Sequence, residues 1–315
     1  MLGQVFERFV EKSPISVMVR ATLERVLGAD RLDLWSRRTA QKPYTRALLF
    51  STVYDLMSQV VFCVQPSVRA AYRAHEANVG TSIISVSNKL NGLETHTSSE
   101  LVRSSARELA PLIAPMDGER APWLAGSRVN MIDGNCLPAS EHRIQELREA
   151  EGRALPGKAL VVSEPAQGLV TDVFPCEDGH AQERALLGAV LTSVKRDDLW
   201  IADRNFCTRA FLTEIDARGG CFVIRAHQGL PWEMGSPLRS CGRTPTGQLA
   251  QQSVCVVDAQ GHKHALRRLQ ITLDHTTRDG DTILSILTNL PRQVSAQHVA
   301  QLYQNRWKLA TAFQY

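Results

Sequence analysis

Val129-Asn130-Met131-Ile132-Asp133 is the stretch that decides the fold, because it is an apolar run that ends on a carboxylate. Leu199-Trp200-Ile201-Ala202-Asp203 repeats the pattern further along the chain. Short apolar runs of this kind predict buried β-strands, so we expect an Asp at the tip of each strand. Taken alone, Asp133-Gly134 is also typical of a tight turn, and Asp203 beside Arg204 is also compatible with a salt-bridged strand end.

The composition is that of an ordinary globular protein. The 315 residues include 43% hydrophobic and 22% charged residues, with a net charge of +4. This length allows two domains, or one domain with a large insertion, and the mildly basic charge is compatible with a polyanionic partner. The seven cysteines include no Cys-x-x-Cys pair, which argues against a structural zinc site and fits a reducing cytosol. We expect neither a signal peptide nor a membrane span.

Residues 1–120 are predicted to be helical. Apolar residues recur there at three- and four-residue spacing, and no strand pattern interrupts them. A short helix pair around residues 82–91 is compatible with a helix-turn-helix or with an ordinary bundle helix. The Pro- and Gly-rich residues 120–127 mark a boundary.

Residues 121–228 are predicted to be the first part of an α/β core. Short β-type runs alternate there with helical segments, which indicates a mixed sheet covered by helices. The expected helices are residues 181–193 and 208–218. The expected strands are residues 128–132, 158–163, 168–174, 199–202 and 221–225.

Residues 229–288 are predicted to be a β-rich insertion with a basic face, with strands at residues 254–257, 266–273 and 282–287. Between Arg225 and Arg278, seven Lys or Arg residues and four His residues stand against three acidic ones. A positive face favours contact with phosphates, although a merely solvated edge sheet explains the charges equally well. Residues 289–315 are predicted to return to the core as a final helix with Ser295 as its N-cap.

Two carboxylates at strand tips suit the cleavage of phosphodiesters. That reaction needs an activated nucleophile, a stabilised leaving oxygen and relief of charge at phosphorus. Two Mg²⁺ ions about 3.5–4 Å apart supply all three, and such hard cations prefer oxygen ligands. Asp133 and Asp203 are therefore the predicted catalytic residues and metal ligands, with Mn²⁺ as a possible substitute for Mg²⁺.

The final helix carries Tyr303, Arg306 and Ala310 within one face. An apolar stripe borders this face and would pack on the sheet. Tyr and Arg beside a metal pair can hold target phosphates, Arg through its two-pronged guanidinium. The alternative is an amphipathic helix with an exposed Arg.

Three motifs resemble the signatures of DDE-type insertion-sequence transposases, above all those of insertion-sequence family 4. They are Ile-Asp-Gly-Asn at 132–135, Ile-Ala-Asp-Arg-Asn-Phe at 201–206 and Tyr-Gln-Asn-Arg-Trp-Lys-Leu at 303–309. The resemblance covers residues 127–315 and implies a bacterial cut-and-paste enzyme. The fold class that it implies is α/β, a ribonuclease-H-like mixed sheet with a β-rich insertion, preceded by an all-helical N-terminal domain that binds DNA.

The resemblance also implies partners and roles. Asp133 and Asp203 would hold the metal ions, while Tyr303 and Arg306 would contact phosphates at the DNA ends. The substrates would be double-stranded DNA, both the terminal inverted repeats of the element and the target DNA. We expect a homodimer on DNA, in the cytoplasm and associated with the nucleoid, with no membrane partner.

Arg204 and Trp232 are two further predicted DNA contacts. Arg204 directly follows Asp203, and Trp232 lies in the basic insertion. Trp232 could stack on an unpaired base, and a packing role is the alternative.

Position 310 departs from the family pattern, which requires Glu where this chain has Ala310. The family motif also continues to a Lys beyond residue 315, so a truncated or decayed element is one interpretation. Ala cannot bind a metal ion, and we expect a chain with little or no catalytic activity. Glu177, Asp178 or Glu183 is a candidate replacement. Two alternative functions remain: a catalytically dead, DNA-binding transposase remnant, and a ribonuclease-H-like nuclease without strand transfer.

Overall fold

The computed structural model of the chain describes residues 10–40, 48–137, 157–176, 181–277 and 280–306. The chain divides into two compact units, residues 1–116 and residues 117–315. Within the described residues, no helix has both the length and the apolar character needed to cross a lipid bilayer.

The described part of the first unit is built from helices. They are α1 (Pro14–Leu27), α2 (Ala29–Thr39), α3 (Phe50–Val61), α4 (Val68–Val79), α5 (Ile83–Asn91) and α6 (Thr95–Ile113). A buried cluster with Val53, Leu56, Tyr72 and Val86 joins α3, α4 and α5.

The stretch at residues 82–91 forms one helix, α5, which agrees with the interpretation as an ordinary bundle helix. Ser82 begins α5 by accepting a hydrogen bond from the N–H of Ser85, which leaves no room for a turn inside the stretch. A turn does precede it, because Gly80 ends α4 in the left-handed conformation with φ 64°. The Tyr72 hydroxyl donates to the carbonyl of Thr81 at 2.8 Å and fixes this turn.

The second unit is built around a mixed sheet. Its helices are α7 (Leu187–Leu191), α8 (Arg209–Ala217) and α9 (Ala296–Asn305). Its strands are β1 (Arg128–Leu137), β2 (Gly157–Glu164), β3 (Leu169–Cys176), β4 (Asp198–Ala202), β5 (Cys221–Arg225), β6 (Glu233–Met234), β7 (Arg239–Thr244), β8 (Gly247–Val257), β9 (Lys263–Leu273) and β10 (Ile283–Thr288).

The described strands form one ten-stranded sheet in the order β3-β2-β1-β4-β5-β10-β9-β8-β6, with β7 paired to β8. Strand β1 runs antiparallel to β2 and parallel to β4, and β4 runs parallel to β5. Every residue of β4 is buried. Helices cover both faces of the sheet there, which explains why its sequence is a continuous apolar run.

The two faces of the sheet carry separate cores. Trp200, Phe206 and Phe211 belong to the core on the face covered by α8. Met131, Ile201 and Tyr303 belong to the core on the other face, where α9 packs. The five strands predicted between residues 128 and 225 are confirmed, as are the helix over residues 208–218 and the N-cap at Ser295. The prediction that Asp133 ends its strand is wrong, because β1 continues to Leu137 through its pairing with β2.

The helix predicted over residues 181–193 is wrong in extent. The chain forms a 3-10 turn at Glu183–Leu186 and then the five-residue helix α7. Thr192 and Ser193 turn their hydroxyls back to the carbonyls of Ala189 and Val190. Such local bonds compete with the continuation of a helix.

The strands of the predicted insertion extend the same sheet, because β10 pairs directly with β5. Strand β8 begins at Gly247 rather than at Val254, and β6 and β7 were not predicted. Residues 247–253 lack an apolar run, and only their pairing with β7 and β9 identifies them as a strand.

Buried Arg267 fixes the loop that leads into α9. Its side chain is buried, and one guanidinium nitrogen, Nη1, donates to the carbonyls of Leu290, Pro291 and Val294 at 3.3, 2.8 and 2.9 Å. The loop carbonyls are thereby satisfied without solvent. The start of α9 is held against β9 as a result.

Candidate active site

An ion pair at the start of two strands sets the register of the site. Arg128 begins β1 and lies opposite Asp198, which begins β4. Its guanidinium donates two hydrogen bonds to the buried carboxylate of Asp198, at 3.0 and 2.9 Å. The N–H of Lys195 donates a third at 2.9 Å. This contact lies at the end of β4 opposite to Asp203.

The same register brings Asp133 and Asp203 to equivalent positions, just beyond the last paired residues of β1 and β4. Met131 pairs with Ile201, and each Asp follows two residues later in extended backbone. Side chains two apart in a strand share a face, and neighbouring strands lie about 4.8 Å apart. Both carboxylates therefore stand on the face that α9 covers, as the sequence pattern requires.

Arg225 completes this row on the third parallel strand. Ile201 of β4 pairs with Val223 of β5, so Arg225 comes opposite Asp203. The row of charges is Asp133, Asp203 and Arg225. Asp203 and Arg225 stand at the carboxyl ends of β4 and β5, whereas Asp133 lies within β1, just beyond the last residue of β1 that pairs with β4. Sequence analysis missed Arg225, although its place at the end of an apolar run matches that of the two Asp residues.

Asp133 is half-buried, with 35% of its side chain exposed. Its Oδ1 accepts the N–H of Gly134 at 3.0 Å, and its Oδ2 accepts a long hydrogen bond from Nη1 of Arg306 at 3.4 Å. Burial raises the pKa of Asp133 above its ordinary value, the charge of Asp203 adds to this, and Arg306 and the Gly134 N–H oppose it.

Asp203 is held by the turn that follows it. Its Oδ1 accepts the N–H of Asn205 at 2.8 Å and so caps the 3-10 turn Arg204–Phe206. This bond ends β4 and fixes the side chain at the edge of the sheet. The carboxylate is half-buried, like that of Asp133.

Helix α9 brings Tyr303 and Arg306 to this row. Tyr303 is 1% exposed, and among the described residues its hydroxyl has no hydrogen-bond partner. Burial raises its pKa, Arg306 and Arg225 lower it, and Asp203 raises it. Arg306 is 13% exposed and lies beside the Tyr303 ring as well as Asp133. A phosphate can reach the Tyr303 hydroxyl only if the surrounding groups move.

Arg204 and Trp232 line one cavity of about 480 Å³ beside the row of charges. Arg225, Arg268 and Asp281 line it as well. Asp281 accepts a hydrogen bond from Arg225 at 2.5 Å, and Arg204 lies 3.9 Å away. The bond from Arg225 is the main reason that the pKa of Asp281 lies below its ordinary value.

Trp232 has a packing role in this structure. Its ring is partly buried against the core on the α8 face, and the guanidinium of Arg268 stacks over it at 5.2 Å. Sequence analysis missed Arg268 and Asp281, because neither residue follows a pattern that distinguishes it from a solvated charge.

Several basic residues of the segment 229–288 are paired within the protein. Arg243 pairs with Asp274 and Lys263 pairs with Glu233. His264 contacts Asp216 at 2.9 Å and Asp258 at 3.3 Å. These contacts reduce the charge that the predicted basic face offers to a polyanion.

Glu183 lies near the row but on the other side of β1. A Cβ added to Gly134 would lie 2.1 Å from Oε1 of Glu183, so a glycine permits this close approach. Gly134 faces opposite to Asp133 in the strand, and Oε2 of Glu183 accepts from Asn205 at 3.4 Å. Glu177, Asp178 and Ala310 lie outside the described residues.

The described residues contain no group of three His, Cys, Asp or Glu side chains that could hold a metal ion. The donors that the structure does bring together are the carboxylates of Asp133 and Asp203. Carboxylate oxygens suit a hard divalent cation, and such a cation keeps several waters when few protein ligands are present.

Residues 125–309 match the family model described as the transposase DDE domain, and this span is more than half of the 315 residues. It includes Asp133, Asp203, Tyr303 and Arg306. No curated protein matches the chain.

Proposed function

The chain belongs to the family of transposases with a DDE domain, and from this premise we propose that it is a DNA transposase of an insertion sequence, an enzyme type that cleaves and transfers DNA strands, with its catalysis weakened by Ala310. The observation that supports this proposal is the parallel pairing of Met131 with Ile201, which precede Asp133 and Asp203 by two residues each. DNA is the substrate that the family implies.

We propose a ribonuclease-H-like core. The order β3-β2-β1-β4-β5, with β1 antiparallel to β2 and parallel to β4, supports this assignment. The three motifs at 132–135, 201–206 and 303–309 support insertion-sequence family 4 and a cut-and-paste reaction.

We propose Mg²⁺ as the cation, with Mn²⁺ as a substitute. Transposases of this family generally use divalent metals, and Asp133 and Asp203 would hold the ions. When bound, a pair of such ions neutralises charge at phosphorus and supports both the attacking and the leaving oxygen.

The residues of the chain would orient the DNA. Arg306 would donate to a phosphate at the DNA end, and Arg204 would contact the neighbouring backbone. Water breaks a P–O bond at the end of the element and leaves a 3′-hydroxyl. That hydroxyl then attacks a phosphorus of another strand, so one P–O bond forms as another breaks. Trp232 would contact a base only by leaving its packed position.

We propose that the chain shows little cleavage, because Ala310 replaces the expected Glu. The row at the strand ends supplies two carboxylates, and the described residues add no third one to it. A catalytically inactive protein that still binds element ends is therefore the second candidate function. In both cases the partners would be double-stranded DNA and a second copy of the chain on DNA, in the cytoplasm near the nucleoid.

The test is nicking of a supercoiled plasmid with Mg²⁺ or Mn²⁺, followed by analysis for joined strands. We expect background activity for the chain as given and clear nicking by Ala310→Glu. Adding Asp203→Asn to Ala310→Glu should abolish it. Strong nicking by the given chain that survives Asp133→Asn would refute the assignment. Nicking without joined products would favour a nuclease, and DNA binding without nicking in either form would favour the inactive remnant.

A further inference from the structure

Arg306 is the cation that neutralises Asp133 in this structure. Its Nη1 lies 3.4 Å from Oδ2 of Asp133, and only 13% of the Arg306 side chain is exposed. The two residues are separated by 173 positions, so α9 must be docked for the contact to form. The contact is therefore a feature of the folded site.

A neighbouring charge makes such a counter-ion necessary. Asp203 faces the same side of the next strand and repels the half-buried charge of Asp133. Like charges held side by side repel each other, and a cation close to them reduces the repulsion. Arg306 supplies that cation from α9. The other oxygen of Asp133, Oδ1, is oriented by the N–H of Gly134.

We infer that Arg306 competes with the divalent cation for Asp133 and holds its place until the cation binds. This inference rests on the proposed function, in which Asp133 and Asp203 hold metal ions. A guanidinium and a divalent cation repel each other when both stand at one carboxylate, and the repulsion is strong in a partly desolvated site. Binding of the cation therefore requires Arg306 to move away from Asp133.

The competition links the metal to DNA. An Arg306 that donates to a DNA phosphate leaves Asp133 to the cation, so phosphate and cation favour each other's binding. Such coupling is reciprocal between two ligands of one protein. The binding energy of DNA would in this way assemble the metal site only where a phosphate is in place.

The test measures binding of Mn²⁺ alone by electron paramagnetic resonance, without DNA and without a measurement of activity. We expect Arg306→Gln to bind Mn²⁺ about tenfold more tightly than the given chain, as expected when one nearby charge is removed from a half-buried site. Arg306→Lys, which keeps the charge, should stay within about threefold of the given chain. Asp133→Asn should weaken binding in every background.

Arg218→Gln is the matched control. Arg218 follows α8 at the amino-terminal side of β5 and pairs with Glu214. Its replacement by Gln changes the net charge of the protein by the same amount as Arg306→Gln does. It should leave Mn²⁺ binding unchanged. Circular dichroism and thermal unfolding show whether each variant folds. Arg306→Met, which also removes the charge but keeps a long side chain, serves if Arg306→Gln does not fold.

The outcomes separate the two proposals. If Asp133→Asn weakens Mn²⁺ binding but Arg306→Gln does not strengthen it, the metal site stands and the competition is refuted. An equal gain from Arg218→Gln would attribute the effect to net charge and refute the competition as well. If Asp133→Asn has no effect on Mn²⁺ binding, the proposed metal site fails and the inference fails with it.

Discussion

Asp198→Ala tests whether the ion pair at the start of β1 and β4 sets the geometry of the site. The substitution removes a carboxylate that accepts three hydrogen bonds, two from Arg128 and one from the N–H of Lys195. The Asp198 side chain is 3% exposed, so water does not replace these bonds in the folded protein.

The expected loss in the free energy of unfolding follows from those three hydrogen bonds. Hydrogen bonds to charged groups contribute about 1.5–3 kcal/mol each in mutational studies. The Arg128 side chain is 36% exposed and can turn to solvent in the variant, so that water replaces part of the hydrogen-bond energy that it loses. Desolvation of Asp198 is also relieved, and we therefore expect a net loss of about 3 kcal/mol.

The assay is urea unfolding of the given chain and of the variants. With a slope of about 2–3 kcal/mol/M, a loss of about 3 kcal/mol lowers the midpoint by about 1–1.5 M. A double-mutant cycle with Arg128→Ala should give a coupling of about 1–2 kcal/mol. Arg20→Ala is the control, because Arg20 forms an exposed pair with Glu24 and should change stability by less than about 0.5 kcal/mol.

A small shift of the urea midpoint would refute the role of this ion pair. If Asp198→Ala shifts the midpoint no more than Arg20→Ala does, the pair contributes little. A large loss of stability with no coupling to Arg128 would assign the effect to the Lys195 bond or to a cavity instead.

Three further predictions concern parts of the second unit. Arg267→Met should lower the free energy of unfolding by about 3 kcal/mol, because three loop carbonyls lose their hydrogen-bond donor. In the same urea assay, the control Arg292→Gln changes an exposed residue of the same loop and should lower it by less than about 0.5 kcal/mol. The hydrogen bonds that His264 donates to Asp216 and Asp258 raise its pKa above 6.5, so its contribution to stability should be fully present below pH 6.5 and lost as pH rises through the folded-state pKa. His264→Gln should remove this dependence from unfolding curves measured at several pH values; an unchanged pH profile would contradict it. Burial raises the pKa of the Cys207 thiol to about 11, so iodoacetamide should modify Cys207 far more slowly than exposed Cys63, as peptide mass spectrometry would show.

The central strands could be predicted because their sequences carry the signal themselves. β4 is apolar at each position from Leu199 to Ala202, and Asp203 at its end stands out against that background. The start of α9 could also be predicted, because Ser295 is a residue type that commonly caps a helix and it precedes the helical pattern.

Other features depend on partners that a local pattern does not reveal. Residues 247–253 read as polar, and they form a strand because β7 and β9 supply their hydrogen bonds. The contact of Arg306 with Asp133 depends on the docking of α9, and the burial of Tyr303 depends on the core of that face. In the sequence, Arg225 has the pattern of a solvated charge at a strand end, and only the pairing of β4 with β5 indicates that it lies beside Asp203.

The continuity of the sheet has a consequence for building chimeras between related proteins. Strand β10 is bonded to β5 on one side and to β9 on the other, so residues 229–288 are not an independent module. A transplanted segment would have to be cut in the loop after β5 and in the loop before β10. It would also have to retain Arg267, because the loop before the recipient's last helix would otherwise lose the hydrogen bonds that hold it against the sheet.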